Sequence, residues 1–131
     1  MPRILLIEDD AQHILLARIR LEARGFEVAA AQTGADGLAG ALEFRPDLIL
    51  LDLNLPDASV ADMIAGLRGI PSARKTPIIA FTALDAFELH RRRLHSEIAE
   101  FIQKPYETTE LLEKVTRVLG GPQKNNPGEG G

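Results

Sequence analysis

The 131-residue chain contains no cysteine. That excludes disulfides, thiolate catalysis and Cys-ligated metal centres. It has no apolar run near the ~20 residues that a membrane span needs. The N-terminus offers only "ILLI" before three acids, which is too short for a signal peptide. Positive charge is not in excess: the formal net charge is -4, which argues against nucleic acid as the main partner. There is no internal repeat, and no Ser/Thr/Gly-rich phosphate loop of the kind a flavin-binding fold requires. What is present is an ordinary globular composition, 45% hydrophobic, which excludes a disordered chain. The length suits one domain with its own core. The expectation is a soluble cytoplasmic domain with neither a membrane nor a direct nucleic-acid partner.

Five short apolar runs stand out: "RILLI", "EVAAA", "DLILLDL", "TPIIAFTA" and "EFIQK". The first, third and fourth are continuous rather than alternating, as in parallel strands covered on both faces. Helical stretches lie between them. "AQHILLARIRLEARG" carries Ile14, Ala17 and Leu21 at helical spacing, with Gly25 predicted as its C-cap. "GADGLAGALEFRP" must stop before Pro46. "ASVADMIAGLRG" and "DAFELHRRRLHSEIAE" are weaker helical patterns. "ELLEKVTRVLGG" has the clearest stripe: Leu111, Leu112, Val115, Val118 and Leu119, ended by Gly120. Alternating strands and helices with short connections predict an α/β fold, a five-stranded parallel sheet with right-handed crossovers. From Gly120 onward, "GGPQKNNPGEGG" has little to bury, so residues 120–131 read as a flexible tail or linker stub after a domain spanning 1–119.

The strands end on charge. Glu8, Asp9 and Asp10 follow the first run, Asp52 closes the third, Thr82 the fourth and Lys104 the fifth. In an open α/β sheet the carboxyl ends of the strands form the ligand edge. Carboxylates at ~4 Å repel by about 4 kcal/mol at an effective dielectric near 20, so their gathering there suggests use. An oxygen-only acidic set suits a hard cation, Mg²⁺ before Zn²⁺. A hydroxyl and an ammonium beside it suit the oxygens of a phosphoryl group. An Asp can accept that group covalently. Asp10 reads first as the N-cap of the following helix. His13, His90 and His95 give no metal set and offer no good catalytic base. The run "HRRRLH" reads as a solvated helix face, its functional alternative being a docking surface for an acidic partner.

In combination, the acidic pair after strand 1, "LLDLNLP" around strand 3, "TA" after strand 4 and "KP" after strand 5 give a strong match in order and spacing. With them the chain resembles the receiver domain of two-component response regulators over roughly residues 3–119. The resemblance implies a doubly wound sheet of strand order 2-1-3-4-5 with helices on both faces. It implies Asp52 as phosphoacceptor. It implies Mg²⁺, or Mn²⁺, held by Asp9, Asp52 and the backbone carbonyl of Asn54, with Glu8 acting through water. Thr82, Ala83 and Lys104 would bind the phosphoryl group, Lys104–Pro105 would be a cis peptide, and Thr82 with Phe101 would form the switch, Phe101 turning inward on phosphorylation. The implied partners are a sensor histidine kinase or phosphotransfer protein and a downstream target on the face of helix 4, strand 5 and helix 5. A phosphorylation-dependent homodimer is compatible with it. The implied role is a signalling phosphoacceptor rather than a turnover enzyme, with self-catalysed phosphorylation and slow loss of its own phosphoryl group.

Two positions depart from the family pattern. Val60 and Glu97 stand where glycine is usual, and a β-branched residue does not readily take positive φ. The turn into helix 3 must therefore differ locally, and Val60 could alter access to the acceptor. Two rival functions remain open. One is a phosphate-independent interaction module built on this fold. The other is an aspartyl-nucleophile, Mg²⁺-dependent phosphatase of the haloacid-dehalogenase type, which wants a second Asp where this chain has Asn54, as well as a cap domain and a longer chain.

Overall fold

A computed structural model describes residues 1–120. The elements are β1 (Arg3–Ile7), α1 (Ala11–Glu22), β2 (Glu27–Ala31), α2 (Gly34–Phe44), β3 (Leu48–Asp52), α3 (Val60–Arg68), β4 (Ile78–Ala83), α4 (Phe87–Leu94), β5 (Glu100–Lys104) and α5 (Thr108–Gly120). All strand pairings are parallel, and the order is β2-β1-β3-β4-β5. The anticipated tail beyond Gly120 lies outside the described residues. No helix among the described residues is long and apolar enough to cross a membrane.

The continuous apolar runs are explained by two separate cores, one on each face of the sheet. Ile4 and Leu6, Leu48 and Leu50, Ile79 and Phe81, and Ile102 pack with α1 and α5 residues such as Leu21, Leu111 and Val115. Their alternating neighbours Leu5 and Ile7, Ile49 and Leu51, Ile78 and Ala80, and Phe101 pack with α2 and α3 residues such as Ala41, Met63 and Leu67. Side chains alternate faces along a strand, so a strand buried on both faces needs apolar residues throughout.

Local chemistry sets the helix ends. Asp10, Thr33 and Ser59 cap α1, α2 and α3, each side chain accepting from a backbone N–H of the first turn. Helix α1 ends sooner than predicted: Ala23 is its cap, and Gly25, at φ +91°, completes the turn two residues later. Helix α4 is also shorter than predicted. A 3-10 turn (Leu84–Ala86) precedes it, and the chain folds back after Leu94, whose carbonyl accepts from Glu97 and Ile98 N–H, so that Ile98 can enter the core. Val60 takes no positive φ. It opens α3, with Ser59 extended before it, and its side chain packs against the second core.

Among the described residues, Arg45 is the non-glycine residue at positive φ. It ends α2 in the left-handed region at φ 52°, immediately before Pro46. Left-handed backbone costs a residue with a Cβ on the order of 1 kcal/mol, and glycine is free of that cost. Arg45→Gly should therefore stabilise the domain by about 0.5–1 kcal/mol, read as a melting temperature about 2–5 °C higher. An unchanged or lower midpoint would show that the Arg45 side chain contributes more than the strain removes.

Candidate functional site

The same alternation that builds the cores positions the charges. Glu8 follows Ile4 and Leu6 on the α1/α5 face, Asp52 follows Leu48 and Leu50, and Lys104 follows Ile102. Register puts Ile7 opposite Leu51 and Ala83 opposite Lys104, so these three side chains meet at one edge. The Glu8 N–H extends the ladder by donating to the Ala31 carbonyl at 2.9 Å. Thr82 instead follows Ile78 and Ala80 toward the α3/α4 face, the side that also holds Phe101.

Glu8 is 1% and Asp52 4% exposed, whereas Asp9 is open to solvent. Lys104 Nζ donates to Glu8 Oε1 at 2.9 Å and lies 3.7 Å from Asp52 Oδ2. Asp52 Oδ1 accepts from the Asn54 N–H at 3.0 Å. Glu8 Oε2 accepts from the Asp10 N–H at 3.1 Å. Carboxylate oxygens of Glu8, Asp9 and Asp52 lie within 4.8 Å of one another, a set of hard donors that fits a divalent cation and offers nothing to a soft one. A cleft of about 360 Å³ beside them is lined by Leu53, Asn54, Thr82, Ala83, Asp85, Ala86 and His90. The Lys104–Pro105 peptide bond is cis.

The electrostatics are uneven. Burial raises the pKa of Asp52 to about 6; the Asn54 N–H works against that rise and neighbouring Glu8 adds to it. Burial also works to raise Glu8, but hydrogen bonds from His13, Lys104 and the Asp10 amide outweigh it and hold Glu8 down at about 2. Glu8 is thus held below the usual carboxylate range and Asp52 above it, so a cation at this edge would favour the ionised form of Asp52 most.

The loop after Asp52 is tied to the start of α2. Both oxygens of Asp57 accept backbone N–H groups there, from Gly34 at 2.7 Å and Ala35 at 3.1 Å. Gly34 is required by close approach: a Cβ would fall 2.8 Å from both Ala58 Cβ and Met63 Sδ.

Sequence reasoning missed two site residues. His13 Nδ1 lies 2.5 Å from Glu8 Oε1, its Nε2 meets the Tyr106 hydroxyl, and its ring stands edge-on to Phe81 at 4.9 Å. The available signal was position. Asp10 caps α1 by accepting the His13 N–H, which fixes His13 in the first turn beside the strand ends. Phe101 also differs from expectation. It is already inward, 7% exposed and edge-on to Phe87 at 6.4 Å. A phenyl ring has no hydroxyl to desolvate there, so burial is favoured.

A family model described as the response regulator receiver domain matches residues 4–116. The chain belongs to the response-regulator receiver family. The receiver is 36% identical over 115 residues to the transcriptional regulatory protein KdpE of Mycobacterium tuberculosis, a match covering 88% of this chain and 50% of that one. It is 31% identical to the polar-differentiation response regulator DivK of Brucella anthropi, covering 92% and 98%. The chain thus spans about half the length of KdpE and nearly all of DivK. Among solved structures, the receiver domain of a sensor histidine kinase from Pseudomonas aeruginosa, with magnesium in its active-site cleft, superposes with a TM-score of 0.81 at 28% identity, covering 92% of this chain and 98% of that one.

The pKa shifts predict a pH signature for the metal-free receiver. Asp52 is shifted up, so its ionisation opposes folding; that cost is absent below about pH 4 and complete above about pH 6. Glu8 has the opposite sign: its stabilisation is present above about pH 4.5 and is lost as pH falls toward about 2. Between about pH 5 and 7 only the Asp52 contribution changes within this pair. Asp52→Asn should therefore melt higher than wild type at pH 7, by about 2–5 °C, with the gap closing toward pH 5. A gap of constant size across that range would show that Asp52 is not the titrating group.

Proposed function

We propose that this receiver accepts a phosphoryl group on Asp52 and uses it to switch an output interaction. The observation that carries the reading is the Glu8–Lys104–Asp52 cluster: two buried carboxylates served by one ammonium 2.9 and 3.7 Å away. Such a cluster is costly as mere structure and useful where an incoming anion needs a cation and fixed donors.

In the proposed reaction an Asp52 carboxylate oxygen attacks phosphorus. The bond between phosphorus and the donor's imidazole nitrogen breaks, and its electron pair leaves on that nitrogen. Lys104 moves from Glu8 to one phosphoryl oxygen. The Thr82 hydroxyl and the Ala83 N–H serve others across the cleft. Asp9, Asp52 and the Asn54 carbonyl would hold Mg²⁺ directly and Glu8 through water; when bound, the ion neutralises charge on the phosphoryl oxygens. Catalysis of its own phosphorylation and slow dephosphorylation belongs to the same proposal.

The donor is a histidine kinase or phosphotransfer protein. Its docking area is proposed over the exposed apolar residues Leu15, Leu16 and Ile19 of α1 and Leu84, beside a cleft of about 440 Å³ that includes Lys104, Pro105 and Tyr106. The output face is α4–β5–α5, where Arg117 and Lys114 of α5 pair with Glu100 of β5 at 2.9 and 4.0 Å. Thr82 and Phe101 share the sheet face toward α4, so a pull on Thr82 by the phosphoryl group bears on the Phe101–Phe87 contact.

Incubation with acetyl phosphate and Mg²⁺ should add one phosphoryl mass that hydroxylamine removes. Intact-mass spectrometry should find no such adduct on Asp52→Asn and strongly reduced yield on Lys104→Ala. A full-yield adduct on Asp52→Asn would move the acceptor elsewhere, and sustained turnover of a small phosphomonoester would favour the phosphatase reading. Mg²⁺ should also raise the melting temperature. For a site of about 1 mM and ~10 mM ion the stabilisation is on the order of 1.4 kcal/mol, or about 4–7 °C. If NaCl at matched ionic strength gives the same rise, the carboxylates are only being screened.

A further inference from the structure

Oε1 of Glu8 faces two side-chain nitrogens. Lys104 Nζ approaches it at 2.9 Å and His13 Nδ1 at 2.5 Å. His13 is itself held from behind: its Nε2 pairs with the Tyr106 hydroxyl, and its side chain, 15% exposed, is flanked by the Phe81 and Tyr106 rings at 4.9 and 5.4 Å. One arrangement of protons satisfies this chain with a neutral imidazole. The Tyr106 O–H donates to Nε2, and Nδ1–H donates to Glu8.

The second donor matters if Lys104 has to move. In the proposed reaction, on which this inference rests, Lys104 leaves Glu8 for the phosphoryl group. Oε2 would keep the Asp10 N–H at 3.1 Å, but Oε1 would lose its ammonium, and a buried carboxylate oxygen left short of a donor is costly. His13 already sits on that same oxygen.

We propose that His13, oriented by Tyr106, is a positioning residue that keeps the Glu8 carboxylate partnered and in place while Lys104 transfers to the phosphoryl group. It touches neither the phosphoryl group nor the proposed metal. While Lys104 pairs with Glu8 the two side chains share Oε1; once Lys104 has moved, His13 is the side-chain donor left there, so its loss weighs more on that state. A residue that merely filled space between α1 and Phe81 would affect both states alike.

The test uses two titrations by calorimetry: Mg²⁺ alone, and beryllofluoride in saturating Mg²⁺ as a stand-in for the phosphoryl group. His13→Leu should hold Mg²⁺ within about twofold of wild type but bind beryllofluoride about tenfold more weakly, the worth of one net hydrogen bond to a charged group. His13→Asn, whose amide nitrogen can occupy the place of Nδ1, should recover most of that loss. Tyr106→Phe should show a smaller loss, because Tyr106 acts only through His13. In wild type, ¹⁵N spectra should show His13 protonated at Nδ1, a readout that stands even if His13→Leu does not fold. Beryllofluoride binding by His13→Leu equal to wild type would overturn the inference. So would equal weakening of both ligands in His13→Leu and His13→Asn, or a wild-type imidazole lacking the Nδ1 proton. Wild type that binds Mg²⁺ but no beryllofluoride would overturn the phosphoacceptor reading itself, and the inference with it.

Discussion

Two carboxylates and one ammonium share the edge of the sheet, and the rest of the molecule is arranged to make that tolerable. Glu8 and Asp52 are almost fully enclosed, while Lys104 keeps part of its side chain in water. Like charges this close repel strongly at the low dielectric of a protein edge. The structure divides the load unevenly. Hydrogen bonds hold Glu8 ionised, and burial with Glu8 as neighbour pushes Asp52 toward protonation. One ammonium is shared between the two, 2.9 Å from Glu8 and 3.7 Å from Asp52, and with Asp9 the carboxylates form a set that could hold a further cation.

The geometry behind this is the period of two along parallel strands. Ile4, Leu6 and Glu8 form one stripe, as do Leu48, Leu50 and Asp52, and Ile102 with Lys104. Each reactive side chain is the continuation of a core stripe past the point where the helices stop covering it. The same core that stabilises the domain therefore fixes the heights and directions of the charges. Thr82 and Phe101 lie on the opposite stripe, away from the charged cluster.

The periphery is less tightly built. Helix α4 buries no residue fully and carries Arg91, Arg92 and Arg93 on an exposed face, with Arg91 and Arg92 drawn to Glu88 at 3.1 and 3.9 Å. Exposed ion pairs of this kind add little stability. Its anchors are Phe87 and Leu94, so α4 is the helix least committed to the core. By contrast the loop after Asp52 is fastened to α2 through Asp57, whose two oxygens accept the Gly34 and Ala35 N–H groups.

Much of this was legible in the sequence. Continuous apolar runs alternating with amphipathic stretches require a parallel sheet covered on both faces, and the resemblance supplied the strand order. The acids, hydroxyl and lysine were readable because each sits at the end of its run. What the sequence could not set was anything that depends on side chains meeting across elements. His13 and Tyr106 are 93 positions apart and pair only because α1 and the β5–α5 turn close over the same strand ends. The inward Phe101 depends on Phe87, and the preference of Lys104 for Glu8 over Asp52 is a matter of fractions of an ångström. Local pattern determined the elements and the edge at which the chemistry gathers, because burial acts on every residue of a periodic run. The partners of each charge were decided by tertiary structure alone, because hydrogen bonds and Coulomb interactions depend on distances that no spacing in the sequence encodes.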